Sequence, residues 1–102
     1  MPYADPLTDE ELATALAALD GWAREGDVIR RTVTCADFMG AVGLVNEVAA
    51  AAEAAHHHPD IAITGYRHAT FSLSTHAAKA ITRRDTELAA EIDRIVSRIG
   101  AA

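Results

Sequence analysis

Cysteine is almost missing from this sequence. Cys35 stands alone in 102 residues, so no internal disulfide can form and packing has to close the fold. A single thiol also fits a reducing compartment, and the cytoplasm is the expected location. Aromatic residues are scarce, at 5% of a chain that is 50% hydrophobic. The core must therefore be built from alanine and a limited set of Leu, Ile, Val and Phe. Basic residues are outnumbered: nine Lys and Arg face fifteen Asp and Glu, for a net charge of −6. That balance excludes a general role on nucleic acid, which needs a basic face, and an anionic membrane surface is excluded for the same reason. No apolar run approaches the ~20 residues that span a bilayer. The first eight residues have no basic segment and no apolar core, so no secretory signal is expected.

What is present is enough for one domain, over residues 1–102. A chain of this length buries roughly two-thirds of its unfolded surface, which leaves a modest stability margin that self-association would enlarge. There is no linker, no repeat and no block of like charge.

The hydrophobic spacing predicts a helix over 8–19, with Thr8 and Glu11 as a capping box and Leu12, Leu16 and Leu19 on one face. Gly21 ends it. Residues 27–35 alternate as a strand, with Ile29, Val33 and Cys35 opposite Arg30, Thr32 and Thr34, and the polar pair Arg30-Arg31 suggests a tight turn within it. A second helix runs over 37–55 from an Asp37 cap. It is apolar on two sides: Phe38, Val42, Val45, Ala49 and Ala52 on one, Ala41, Leu44, Val48 and Ala51 on the other. One side must cover the core, and the other is available to a partner helix. Pro59 stops any helix. Residues 61–65 and 66–75 read as strands, the second with Ala69, Phe71 and Leu73 inward. Thr82 caps a last helix over 83–99 that buries Leu88, Ile92, Ile95 and Ile99. The class is α+β, an antiparallel sheet with three helices packed mainly on one face.

All five histidines, His56, His57, His58, His68 and His76, fall between Glu53 and Asp85. Imidazoles titrate near neutrality and suit proton transfer. Three of them run straight into Pro59, which holds them at a rigid corner. They also read as a polar helix end favoured by the dipole, or, with His56, His58 and His76, as metal ligands, although no Cys or paired carboxylate completes a known spacing. His68 falls on the polar face of its strand. Cys35 fits a small core position. Asp85 in the first turn of the last helix suits the helix dipole. Glu53, one turn before His57, faces either the same cleft or solvent.

The run Glu53-x-x-x-His57-His58-Pro59, then Tyr66, His76 and Asp85 at intervals of six, nine and eight residues, resembles the signature of the pterin-4a-carbinolamine dehydratases. Leu73-Ser74-Thr75-His76, Ile81-Thr82, and upstream Gly21-Trp22 and Asp37-Phe38 resemble that family as well. The resemblance implies a four-stranded antiparallel sheet with three helices. It implies loss of water from 4a-hydroxytetrahydropterin to give quinonoid dihydropterin, which recycles the cofactor of aromatic amino-acid hydroxylases. No metal and no organic cofactor is implied. His57 and His76 would be the acid–base pair, with Asp85 holding His76. His58 would bind and orient the pterin. Pro59, Thr75, Ala77 and Ala78 match positions whose backbone lines the pocket, and Glu53 would face it. Family members form dimers and tetramers, so a homo-oligomer is expected. Three departures stand out: the extra His56, Lys79-Ala80 where a glycine is common, and Ile61 where several members carry an aromatic. A different class of function, a non-enzymatic dimerisation or assembly module, also exists on similar domains. A module of that kind has no need for His57, His58, His76 and Asp85 together.

Overall fold

The computed structural model describes residues 5–101. Three helices and four strands follow in the order α1 (Asp9–Ala17), β1 (Ala23–Glu25), β2 (Val28–Thr34), α2 (Phe38–Ala55), β3 (Asp60–Thr64), β4 (His68–Leu73) and α3 (Arg83–Ile99). The strands form one antiparallel sheet in the order β1-β2-β4-β3. This is the α+β architecture that the alternation and helix spacing predict.

Each helix begins where a side-chain oxygen can take an orphan amide. Thr8 and Glu11 form a capping box on α1, and Thr82 and Asp85 form one on α3. Asp37 Oδ1 accepts from Gly40 N at 2.7 Å on α2. The first helix is shorter than its pattern suggests. It ends at Ala17, and Leu19 N closes a last tight turn on Leu16 O.

The turn expected at Arg30-Arg31 is instead at Gly26-Asp27. Glu25 pairs with Val28 across a two-residue loop, and Gly26 takes the positive φ of 63° that such a loop requires. Arg30 and Arg31 lie inside β2. Arg31 is tolerated on the inner face because Asp93 of α3 meets its guanidinium at 2.5 Å, with each side chain only 12% exposed. The same carboxylate accepts from Trp22 Nε1 at 2.7 Å and Asp20 N at 2.8 Å. The α1–β1 connection, β2 and α3 are thereby fastened at one point.

Inward rows run across the sheet in register: Ile29 with Leu73, Arg31 with Phe71 and Ile61, Val33 with Ala69 and Ile63. Ile29, Val33, Ala69, Phe71 and Leu73 are fully buried under Leu44, Val48 and Ile92. The other face is polar, with Thr32 on Thr70 at 2.8 Å and Thr34 on His68 Nδ1 at 3.0 Å. Of the two apolar sides of α2, the one carrying Ala41, Leu44 and Val48 enters the core together with Ala52. The side carrying Phe38 and Ala49 stays exposed, with Val42 and Val45 half-buried. Among the described residues α2 alone has the length and apolarity to cross a bilayer, with mean hydropathy 1.2 over 18 residues. Here its buried stripe serves as the central core helix.

Candidate active site

The site forms where three elements end together. Asp60, the first residue of β3, pairs with Ser72 near the end of β4. The turn leaving α2 and the loop leaving β4 are therefore neighbours. His56 ends α2 in the left-handed region at φ 51° and ψ 39°, with His57 N reaching back to Ala52 O at 3.1 Å. This reversal directs His57 inward and His58 outward. After β4, Thr75 and Ala80 pair through both backbone bonds, Thr75 N to Ala80 O at 3.0 Å and Ala80 N to Thr75 O at 3.4 Å. The loop between them holds His76 at the surface. Lys79 in this loop has a φ of 51°, so the chain takes a glycine-like geometry beside Ala80 without a glycine.

His57 is 9% exposed and Asp85 is fully buried. His57 Nε2 and Asp85 Oδ1 are 2.5 Å apart. Asp85 Oδ2 accepts from the Thr75 hydroxyl at 2.8 Å and from Thr82 N at 2.9 Å. The expected pairing of Asp85 with His76 is thus corrected: Asp85 holds His57. The reason lies in the loop, which puts Thr75 inward against α3 and His76 outward, so the carboxylate meets residue 75 and not residue 76. His58 Nε2 meets Glu53 Oε2 at 2.5 Å, both exposed, which puts Glu53 at the site through His58.

A cleft of about 230 Å³ is lined by His56, His57, His58, Ser74 and His76. It continues into a smaller recess lined by Arg30, Asp60, Ser72 and Ser74 beside His58 and His76. Drug-sized ligands occupy ~300–1,000 Å³, so the cleft suits a small ring system. It carries several proton donors and acceptors: imidazoles, hydroxyls and, on Arg30, a guanidinium that binds Ser72 Oγ at 2.9 Å. Pro59, Ala77 and Ala78 flank this lining without joining it, and Thr75 turns its hydroxyl into the protein. His68 is at the other end of β4, bonded to Thr34. Tyr66 is exposed in the β3–β4 turn, about 20 Å from the cleft at ~3.4 Å per strand residue. Among the described residues no group of three His, Cys, Asp or Glu side chains is arranged to hold a metal ion.

Sequence reasoning missed Ser74, Ser72, Arg30 and Asp60. The signal was available in part, since the alternation of β4 already puts Ser72 and Ser74 on the polar face. Arg30 and Asp60 join them only through the strand register.

The family model for pterin 4 alpha carbinolamine dehydratase matches residues 5–95. A Nocardia farcinica protein named "Putative pterin-4-alpha-carbinolamine dehydratase" is 53% identical over 89 residues, covering 87% of this chain and 93% of that one. A protein of the same name from Mycobacteroides abscessus is 47% identical over 92 residues, covering 90% and 97%. The crystal structure of a transcriptional coactivator/pterin dehydratase from Brucella melitensis superposes with a TM-score of 0.83 at 32% identity, covering 89% of this chain and 98% of that one. A pterin dehydratase-like protein identified as a RuBisCO assembly factor in the alpha-carboxysome shares the fold alone, with a TM-score of 0.62 at 17% identity. The chain belongs to the pterin-4-alpha-carbinolamine dehydratase family.

Proposed function

We propose that this protein removes water from 4a-hydroxytetrahydropterin to give quinonoid dihydropterin, by general acid–base catalysis on histidine. The observation that supports this most is the convergence of His57, His58 and His76 on one cleft, with a buried carboxylate behind His57. The C4a hydroxyl leaves only once it is protonated, and a ring nitrogen must give up a proton as the double bond forms. His57 and His76 are the two groups for these transfers. His58, steadied by Glu53, orients the ring. Pro59, Thr75, Ala77 and Ala78 shape the backbone around it. No metal or organic cofactor takes part. The protein works as a cytoplasmic homodimer or homotetramer.

The test is stopped-flow dehydration of freshly generated 4a-carbinolamine. Wild type should accelerate it, and His57→Ala with His76→Ala together should remove nearly all acceleration. Each single change should leave part, since such groups typically contribute about 10²–10⁴-fold. Activity should survive exhaustive chelation. A double variant as fast as wild type, or activity lost to a chelator and restored by zinc, would overturn the mechanism. A wild type that gives no acceleration would return the fold to the assembly-module class.

A further inference from the structure

We infer that Thr75 and Thr82 are positioning residues for His57. With Asp85 they form a buried hydroxyl chain that fixes the imidazole as its Nε2–H tautomer and leaves Nδ1 as the atom that exchanges protons in the cleft. The inference rests on the reading of His57 as an acid–base group.

The argument is a count of protons. Thr75 is 3% exposed, and Thr82 and Asp85 are fully buried, so their polar atoms must be satisfied by one another. A hydroxyl has one proton to donate and two lone pairs to receive. The Thr75 hydroxyl donates to Asp85 Oδ2 at 2.8 Å, which uses its only proton. Its contact with Thr82 Oγ1, also 2.8 Å, must then be donated by Thr82. The Thr82 oxygen in turn accepts from Arg84 N at 3.2 Å. Every proton in the chain points one way, from the first turn of α3 to the carboxylate. Asp85 Oδ2 is filled by Thr75 and by Thr82 N at 2.9 Å, and Oδ1 is left to His57 at 2.5 Å. A carboxylate held on one oxygen by two donors presents its other oxygen in a fixed direction.

Opposite that oxygen, a neutral imidazole must carry its proton on Nε2. Among the described residues no hydrogen bond reaches Nδ1, and the ring borders the histidine cleft on one side and a recess beside Arg84 and Glu87 on the other. The same chain reaches the other side of the site. Thr75 precedes His76 directly, and Thr82 caps α3, so the hydroxyls that orient His57 also anchor the loop that displays His76.

The experiment is two-bond ¹H–¹⁵N correlation on histidine-labelled protein, at a pH where His57 is neutral, together with steady-state dehydration kinetics. Wild type should give the Nε2–H pattern for His57. Thr75→Val, which keeps the shape and removes the hydroxyl, should give a mixture of tautomers. It should also lower kcat by roughly tenfold while KM stays within about twofold, the scale of a lost supporting hydrogen bond. Thr75→Ser should recover the tautomer and most of the rate. An Nδ1–H pattern in wild type overturns the proposal without any variant. So does a folded Thr75→Val with the wild-type tautomer and rate. If wild type fails to dehydrate the carbinolamine, the functional reading falls, while the tautomer of His57, which needs no substrate, still decides the positioning claim.

Discussion

Asp85 Oδ1 is 2.5 Å from His57 Nε2, so the C-terminal end of one helix meets the N-terminal end of another. Asp85 is in the first turn of α3, where its other oxygen completes a capping box with Thr82. His57 follows the left-handed end of α2. One buried carboxylate therefore serves both fold and site. Asp85→Asn should cost on both counts. The amide puts an NH2 group in place of one oxygen, where it opposes either His57 Nε2–H or the donors Thr75 and Thr82 N. Removing a charged acceptor from a buried hydrogen bond costs about 1.5–3 kcal/mol, readable as a lowered urea midpoint. Dehydration should fall by about 10–100-fold. Wild-type stability and wild-type rate in this variant would refute the shared role.

His56 ends α2 with φ at 51°, the geometry glycine adopts freely and a side chain resists. His56→Gly should therefore stabilise the protein by about 0.5–1 kcal/mol, seen as a higher melting temperature. Turnover should persist, because Pro59 keeps His57 and His58 in register. A melting temperature that falls would show that the His56 ring makes a contact worth more than the backbone strain.

The fold was legible because its signals are local. Thr8 with Glu11, Asp37 and Thr82 mark the helix starts, and the alternation of Ala69, Phe71 and Leu73 marks the inner face of β4. The turn falls at Gly26-Asp27 and not near Arg30-Arg31, where two adjacent arginines look solvated in the sequence. Only the tertiary position of Asp93 makes Arg31 acceptable inside. The histidines were found from the chain, but their partners were not. Which of His57 and His76 meets Asp85 depends on whether the residue before or at position 76 turns inward, and that is set by the Thr75–Ala80 pairing. Arg30 and Asp60 join the recess through strand register, which no local pattern reveals.

Cys35 follows β2 in the core, 5% exposed, with Asp37 two residues on. Burial pushes its thiol above the ordinary value of 9.0, and the Asp37 charge adds to the shift. The folded state therefore holds this proton at pH values where the unfolded chain has begun to lose it. The contribution to stability is complete below about pH 9 and is lost as pH rises beyond it towards the higher folded value. Wild type should lose urea stability above pH 9 more steeply than Cys35→Ala, and iodoacetamide should react slowly with native protein at pH 8. Equal alkali profiles for the two proteins would refute the account.

The exposed side of α2 carries the assembly prediction. Leu44 is fully buried and belongs to the core side of the helix. Phe38 is 52% exposed, and Val42, Val45 and Ala49 continue from it along the helix, partly or wholly open. Only 22% of this apolar helix is buried within one chain. Contiguous apolar strips of this kind mark contact surfaces, and alanines at 49 and 50 let a second helix approach closely. We expect a homo-oligomer joined through this strip. Ala49→Glu is the informative variant. On a lone chain the new carboxylate would sit in water and leave folding intact, whereas within a helix pair it would be buried without a partner. Light scattering at high micromolar concentration should therefore show a dimer or tetramer for wild type and a smaller species for Ala49→Glu, with unchanged circular dichroism. A monomeric wild type would refute the assembly, and an oligomer that ignores Ala49→Glu would move the contact to another surface.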